Sequence, residues 1–179
     1  MRISFLAPSG YGKTTAINIL KKHYELTNIR IADPLYELQQ NFYKQIQLNI
    51  GDKQDGELLQ FFGRKVRKES PSYLLEEFRK KVESTDLIVS NDDCRPFDYE
   101  FLKALGFVFI KINSYTRDRE DHTKASLKSS LEWQEDIPYD YEIDNYKDLI
   151  SYERVLLNLM EVLENEQSLH NPRTKKMQL

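Results

Sequence analysis

Two glycines, a lysine and a pair of threonines crowd into one short stretch near the start of the chain, Ala7-Pro8-Ser9-Gly10-Tyr11-Gly12-Lys13-Thr14-Thr15. Their types and spacing suit the grip of a polyphosphate. Gly10 and Gly12 permit left-handed backbone, so successive N–H groups can turn inward on one anion. Lys13 adds a positive charge for the β- and γ-phosphates of ATP, and the Thr14 hydroxyl is of the kind that ligates Mg²⁺. Ser9, Tyr11 and Thr15 complete the stretch read as ATP-binding. The strict pattern has glycine where this chain has Ala7, but the curl depends on Gly10 and Gly12. The competing reading is an ordinary glycine-rich turn. The flanking elements decide against it: Arg2-Ile3-Ser4-Phe5-Leu6 reads as a buried strand, and the residues after Lys13 read as a helix, the setting of a P-loop.

Phosphoryl transfer also needs a positioned acceptor and charge stabilisation around the moving group. Arginines that grip oxygens bidentately suit an anionic acceptor, and Arg64, Arg67 and Arg95 are the candidates. Arg64 and Arg67 can equally form a solvated helix face, and Arg95 can simply pair with the aspartates before it. Asp92 and Asp93 end a core strand, where a water-mediated Mg²⁺ ligand belongs. Arg117 and Arg119 fit a closing lid or an ordinary charged loop. Asp33 is a candidate acceptor contact or only a helix cap. His122 reads as an exposed polar residue rather than a base, and Trp133 and the tyrosines as packing.

The elements that must position these residues alternate between strand and helix. The first helix is expected over about 13–24, with Ile17, Leu20 and Tyr24 on one face. A short strand, Asn28-Ile29-Arg30-Ile31, leads to Asp33-Pro34, read as N-cap and first turn of a helix reaching about Ile50. Further helices are expected from Glu57 to about Lys68, and to about Val82 with Ser70 as a cap. A strand over 86–90, a short helix from Tyr99 to Leu105 with Gly106 at its C′ position, and the apolar strand Phe107–Ile112 follow. Tyr141–Asn145 reads as a last strand and Leu149, Tyr152, Leu156, Leu159 and Leu163 as a long helix. The tail from about Asn165 reads as frayed. Such alternation predicts an α/β fold of three layers, a central parallel sheet flanked by helices with right-handed crossovers. Ligands in such folds sit at the carboxyl ends of the strands, which gathers the P-loop, Asp33, Asp92–Arg95, Arg117, Arg119 and Asn145.

Composition bounds the rest. The chain has 179 residues, enough for one such domain. A net charge of −3 argues against a general nucleic-acid binder. A mean hydropathy of −0.65 and 31% charged residues describe a soluble chain with no membrane span. The N-terminus runs directly into strand and loop, leaving no room for a signal peptide. Cys94 is the one cysteine, so no intramolecular disulfide forms, and a reducing cytoplasm is expected.

With these residues laid out, most of the chain resembles the P-loop deoxynucleoside monophosphate kinases, especially those of bacteriophages. Ile31-Ala32-Asp33-Pro34-Leu35 is similar to the family's Ala-Asp-Pro-Leu-Lys, with Tyr36 in place of the Lys. Leu59-Gln60-Phe61-Phe62-Gly63, followed by Arg67, resembles its Leu-Gln-x-x-Gly helix at the acceptor monophosphate. Asp93-Cys94-Arg95 resembles its Asp-Val-Arg, although Pro96 then displaces Phe97 and Glu100 by one place. His122 and Thr123 fall where His-x-Ser-Glu is typical. Ile143-Asp144-Asn145 resembles the late Ile-x-Asn near the donor adenine. The resemblance implies ATP- and Mg²⁺-dependent phosphorylation of deoxynucleoside 5′-monophosphates. It implies one kinase domain over 1–165, acceptor-binding helices over about 34–82, a lid over about 114–136 carrying Arg117 and Arg119, and a disordered tail over 166–179. Lys13, Arg95, Arg117 and Arg119 would be catalytic. Asp33, Gln60, Arg64, Arg67, Asp93 and Arg95 would bind the acceptor, and Thr14, Asp92 and Asp93 would serve the metal. Asn145 would join the ATP-binding set, and a homodimer is common in the family.

Three other readings compete. One is another small-molecule kinase, of the dephospho-coenzyme A or shikimate type. A second is a kinase acting on modified bases in DNA, through Arg64, Lys65, Arg67 and Lys68. A third is a nucleotide-binding module without transfer.

Overall fold

Strand β1 (Arg2–Leu6) shows why the chain layers as it does. Ile3 and Phe5 pack into one cluster and Leu6 into the other, so alternate residues serve opposite sheet faces. The computed structural model describes residues 1–51, 53–114, 137–145 and 148–170, with side chains described to 168. After β1 come α1 (Lys13–Leu20), β2 (Leu26–Asn28), α2 (Asp33–Gln45), α3 (Gly56–Glu69), α4 (Tyr73–Glu83) and β3 (Ile88–Asn91). A 3-10 turn (Pro96–Asp98), α5 (Tyr99–Ala104), β4 (Val108–Ser114), β5 (Tyr141–Asn145) and α6 (Leu149–His170) complete the order.

The five strands form one parallel sheet in the order β2-β3-β1-β4-β5. Ile3, Phe5, Ile110 and Ile112 pack with Ile17 and Leu20 of α1 and Tyr152, Leu156 and Met160 of α6. On the other face Val89 and Phe109 pack with Leu74, Phe78 and Val82 of α4, Leu102 of α5 and Leu35 of α2. This is the expected three-layer P-loop architecture, with β1 central and β4 covered on both faces. The chain turns from one side of β1 to the other between β3 and β4, which opens a crevice at the carboxyl ends of β1 and β3.

Several boundaries differ from the sequence reading. The first helix stops at Leu20 rather than Tyr24, because Lys22 and His23 donate to carbonyls three residues back, each at 3.0 Å. Strand β2 is Leu26–Asn28, not 28–31. Ile29 makes a last bond to the Ser90 carbonyl at 2.9 Å, and the chain then leaves the sheet. The apolar spacing of Ile29 and Ile31 reflects their burial in the second core. Asp33 is the first residue of α2 and Ala32 its N-cap, correcting the expected cap. Helix α2 ends at Gln45 rather than Ile50, where Gln47 takes a φ of 58°. Ser70 closes α3, and Ser72 is the N-cap of α4. Gly106, at φ 76°, takes the left-handed conformation expected after α5. Helix α6 continues to His170, through the start of the expected tail. Residues 171–179 and 115–136, where the rest of the tail and nearly all of the expected lid fall, lie outside the described residues.

Candidate active site

Gly12 is the N-cap of α1 at φ 103°, and Gly10 stands at 85°. Gly12 has no side chain to cap α1, and among the described residues no side chain accepts from its first turn, so those N–H groups are open to a ligand. The loop is held from behind. Asn145, at the end of β5, donates its amide to the Tyr11 carbonyl at 3.0 Å. The Tyr152 hydroxyl donates to the Gly12 carbonyl at 3.3 Å. Gly12 must be glycine on two counts, its φ and its neighbour: a Cβ there would lie 2.4 Å from Asn145 Nδ2.

Lys13 folds back on this loop. Its ammonium donates to the Ala7 carbonyl and, at 3.2 Å, to the Pro8 carbonyl. Burial pushes its pKa down, while Asp92 and Asp93 pull it up. A phosphate entering the loop would replace those carbonyls with a stronger acceptor.

The loop opens into a cleft of about 550 Å³. Ala7, Pro8, Ser9, Gly10, Gly12, Lys13, Thr14 and Thr15 line one side, and Arg30, Tyr36, Gln54, Asp92 and Asp93 the other. The two aspartates differ sharply. Asp92 meets Arg30 with both oxygens, 2.9 Å to Nε and 3.3 Å to Nη2, and accepts from Asn28 at 3.2 Å. Asp93 accepts from the amides of Ile31 (3.0 Å) and Ala32 (2.8 Å) and from Asn91 Nδ2 (2.7 Å). Those bonds fasten the segment before α2 to the end of β3. Burial raises the Asp93 pKa against the pull of its hydrogen bonds.

Two oxygen donors, the Thr14 hydroxyl and the Asp92 carboxylate, line the same cleft. A hard cation that keeps waters and phosphate oxygens for its remaining positions suits such a set, so the residues fit Mg²⁺ bound with a nucleotide. Asp93 is occupied with backbone. Among the described residues no three His, Cys, Asp or Glu side chains gather into a separate metal cluster.

Other expected residues lie around the cleft or away from it. The Tyr11 side chain packs against the core beneath α1 and α6. Asp33 accepts from the Arg30 amide at 3.1 Å and lies 3.8 Å from Lys81 of α4. Gln60 and Arg64 are exposed on α3, and Arg95 is exposed at the start of the 3-10 turn. Arg67 is half-buried, 3.9 Å from Asp98 and over the Phe97 ring at 4.6 Å. Arg117 and Arg119 lie outside the described residues.

The sequence reading did not single out Arg30, Gln54, Tyr152 or Asp98. Arg30 was hidden inside an apparent strand, although its place just before Asp33-Pro34 was a usable signal. Asp98 is 1% exposed, and burial pushes its carboxyl up to about 6 despite Arg67.

No protein-family model and no curated protein matches the sequence. Solved structures do resemble it in fold. Shikimate kinase from Bacteroides thetaiotaomicron superposes with a TM-score of 0.54 at 16% identity, covering 92% of this chain and 98% of that one. Shikimate kinase from Aquifex aeolicus gives 0.51 at 15% identity, over 93% and 98%. Dephospho-CoA kinase from Campylobacter jejuni gives 0.51 at 16%, over 93% and 100%. At these identities the likeness is one of fold: the chain has the α/β architecture of P-loop kinases.

Proposed function

We propose that the protein transfers the γ-phosphoryl group of ATP to the 5′-phosphate of a deoxynucleoside monophosphate, giving the diphosphate and ADP. The bond from the γ-phosphorus to its bridging oxygen breaks as one to an acceptor phosphate oxygen forms. The observation that carries this reading is a single cleft shared by the uncapped first turn of α1, Lys13, Thr14, Asp92 and Arg30. Those groups offer N–H donors, two cations and a metal-binding pair around one space, which is what charge on a transferring phosphoryl requires. Lys13 and the helix N-terminus hold the donor phosphates. Thr14 and Asp92 would hold Mg²⁺, which neutralises phosphate charge when bound. The nucleotide acceptor is supported by the resemblance of the segments at Ile31–Leu35, Leu59–Gly63 and Asp93–Arg95, and by Arg67 beside the 3-10 turn that follows β3.

Tyr36 favours a second reading, transfer to another small acceptor. It lines the cleft where the resembling family carries Lys. One experiment separates the two: ADP release with ATP and Mg²⁺ across the deoxy- and ribonucleoside monophosphates, 5-hydroxymethyl-dUMP, shikimate and dephospho-CoA. Stimulation by one or more deoxynucleotides is expected. Stimulation by shikimate or dephospho-CoA alone would overturn the nucleotide reading, and none at all, with ATP still bound, would point to another acceptor or to a nucleotide-binding module.

A further inference from the structure

Arg67 and Asp98 are opposite charges, one partly and one fully drawn from water, that do not meet in a hydrogen bond. Arg67 stands in the last turn of α3, and Asp98 ends the 3-10 turn after β3. Asp98 Oδ2 accepts from the Arg95 amide at 3.3 Å and lies 3.9 Å from Arg67 Nη2. Its Oδ1 is buried and has no hydrogen-bond partner among the described residues. The groups facing Asp98 are Arg67 from α3, Arg95 at the start of the turn, and Asp93 and Cys94 from the end of β3.

A buried ion pair repays its desolvation only with close geometry and further hydrogen bonds, and this pair has neither. Its geometry does orient a guanidinium. The Phe97 ring lies 4.6 Å from the guanidinium carbon and the Asp98 carboxylate 3.9 Å from Nη2, so the two together restrict where the guanidinium can sit. Arginine offers five donors, and Arg67 makes no hydrogen bond among the described residues, so the fork remains available to an anion. Its side chain is 29% exposed. Asp93, which lines the phosphate cleft, acts electrostatically on both Arg67 and Asp98, although neither of those two lines the cleft itself.

We infer that Asp98 is a positioning residue for the acceptor, which with Phe97 holds Arg67 in the orientation that meets the acceptor's anionic group. The inference rests on the transferase reading above and adds a residue pair to it. Asp98 titrates at about 6, so protonation at lower pH releases the hold on Arg67.

The test uses the purified full chain with the acceptor preferred in the panel. Asp98→Asn raises the acceptor KM roughly tenfold and leaves the ATP KM within about twofold. In an Arg67→Ala background the same substitution adds nothing. The acceptor KM of the native enzyme rises as pH falls through about 6, and Asp98→Asn retains only the part due to the acceptor phosphate. Phe97→Leu, at an exposed position, raises the acceptor KM about threefold, and it decides the matter alone if Asp98→Asn does not fold. A native acceptor KM in either folded variant, or an equal loss with and without Arg67, overturns the inference and leaves the transferase reading standing. Absence of acceptor-dependent ADP release by the native protein overturns both.

Discussion

Asp98 is held at a cost that can be read from its surroundings. Its carboxyl rises from 3.8 to about 6 because burial outweighs Arg67, so the folded protein keeps a proton that the unfolded chain has already lost. The sign follows: Asp98 imposes no penalty below about pH 4, and stability falls as pH rises through about 6. The full effect is of the order of 3 kcal/mol. Asp98→Asn is therefore expected to be more stable than the native protein at pH 8, by roughly 1–3 kcal/mol in urea unfolding, with the difference vanishing near pH 4. A difference independent of pH would contradict this. Greater stability with weaker acceptor binding would mark a group retained for function rather than for the fold. Nothing in the sequence around Asp98 announces this, because its charged partner Arg67 comes from another helix. Lys13 and Thr14 were legible because their spacing within one loop defines their chemistry, and Asp92 because it ends a strand. Asp93 is equivalent to Asp92 in the sequence, but its carboxylate holds the amides of Ile31 and Ala32 where that of Asp92 meets the Arg30 guanidinium.

At the scale of elements, the P-loop is a braced structure. Asn145 from β5 and Tyr152 from α6 hold the carbonyls of Tyr11 and Gly12, so the loop's shape depends on elements at the far end of the chain. Gly12→Ala should push Asn145 away and strain the left-handed φ, costing about 1–2 kcal/mol and at least tenfold in ATP affinity. Gly106→Ala has a similar φ of 76° but open space around it. It should cost about 1 kcal/mol and leave ATP affinity unchanged. Thermal unfolding and calorimetric titration with ATP check both, and equal effects on ATP binding would contradict the brace. Helix and strand identities followed from periodicity, but their ends did not. Ile46 continues the stripe of Leu35, Leu38 and Phe42, yet it is 54% exposed, and Gln47 turns the chain out of the helix. Ile29 and Ile31 alternate as in a strand, but Asp93 holds the amides of Ile31 and Ala32 outside the sheet.

For the whole molecule, alternating strands and helices made the parallel three-layer fold legible, because each crossover must cover a sheet face. The strand order was not, since no local pattern says that β3 inserts between β2 and β1. That insertion brings Asp92 to Lys13 and makes one cleft from segments distant in sequence. Among the described residues no helix is long and apolar enough to cross a membrane. Transfer of a phosphoryl group from ATP to a second molecule in this cleft is the activity proposed. The most direct measurement follows γ-labelled ATP to its product in the native protein and in Lys13→Ala. Label is expected on a deoxynucleoside diphosphate, reduced at least about a hundredfold in Lys13→Ala at unchanged secondary structure. Label found only as free phosphate, or transfer that survives the loss of Lys13, would contradict it.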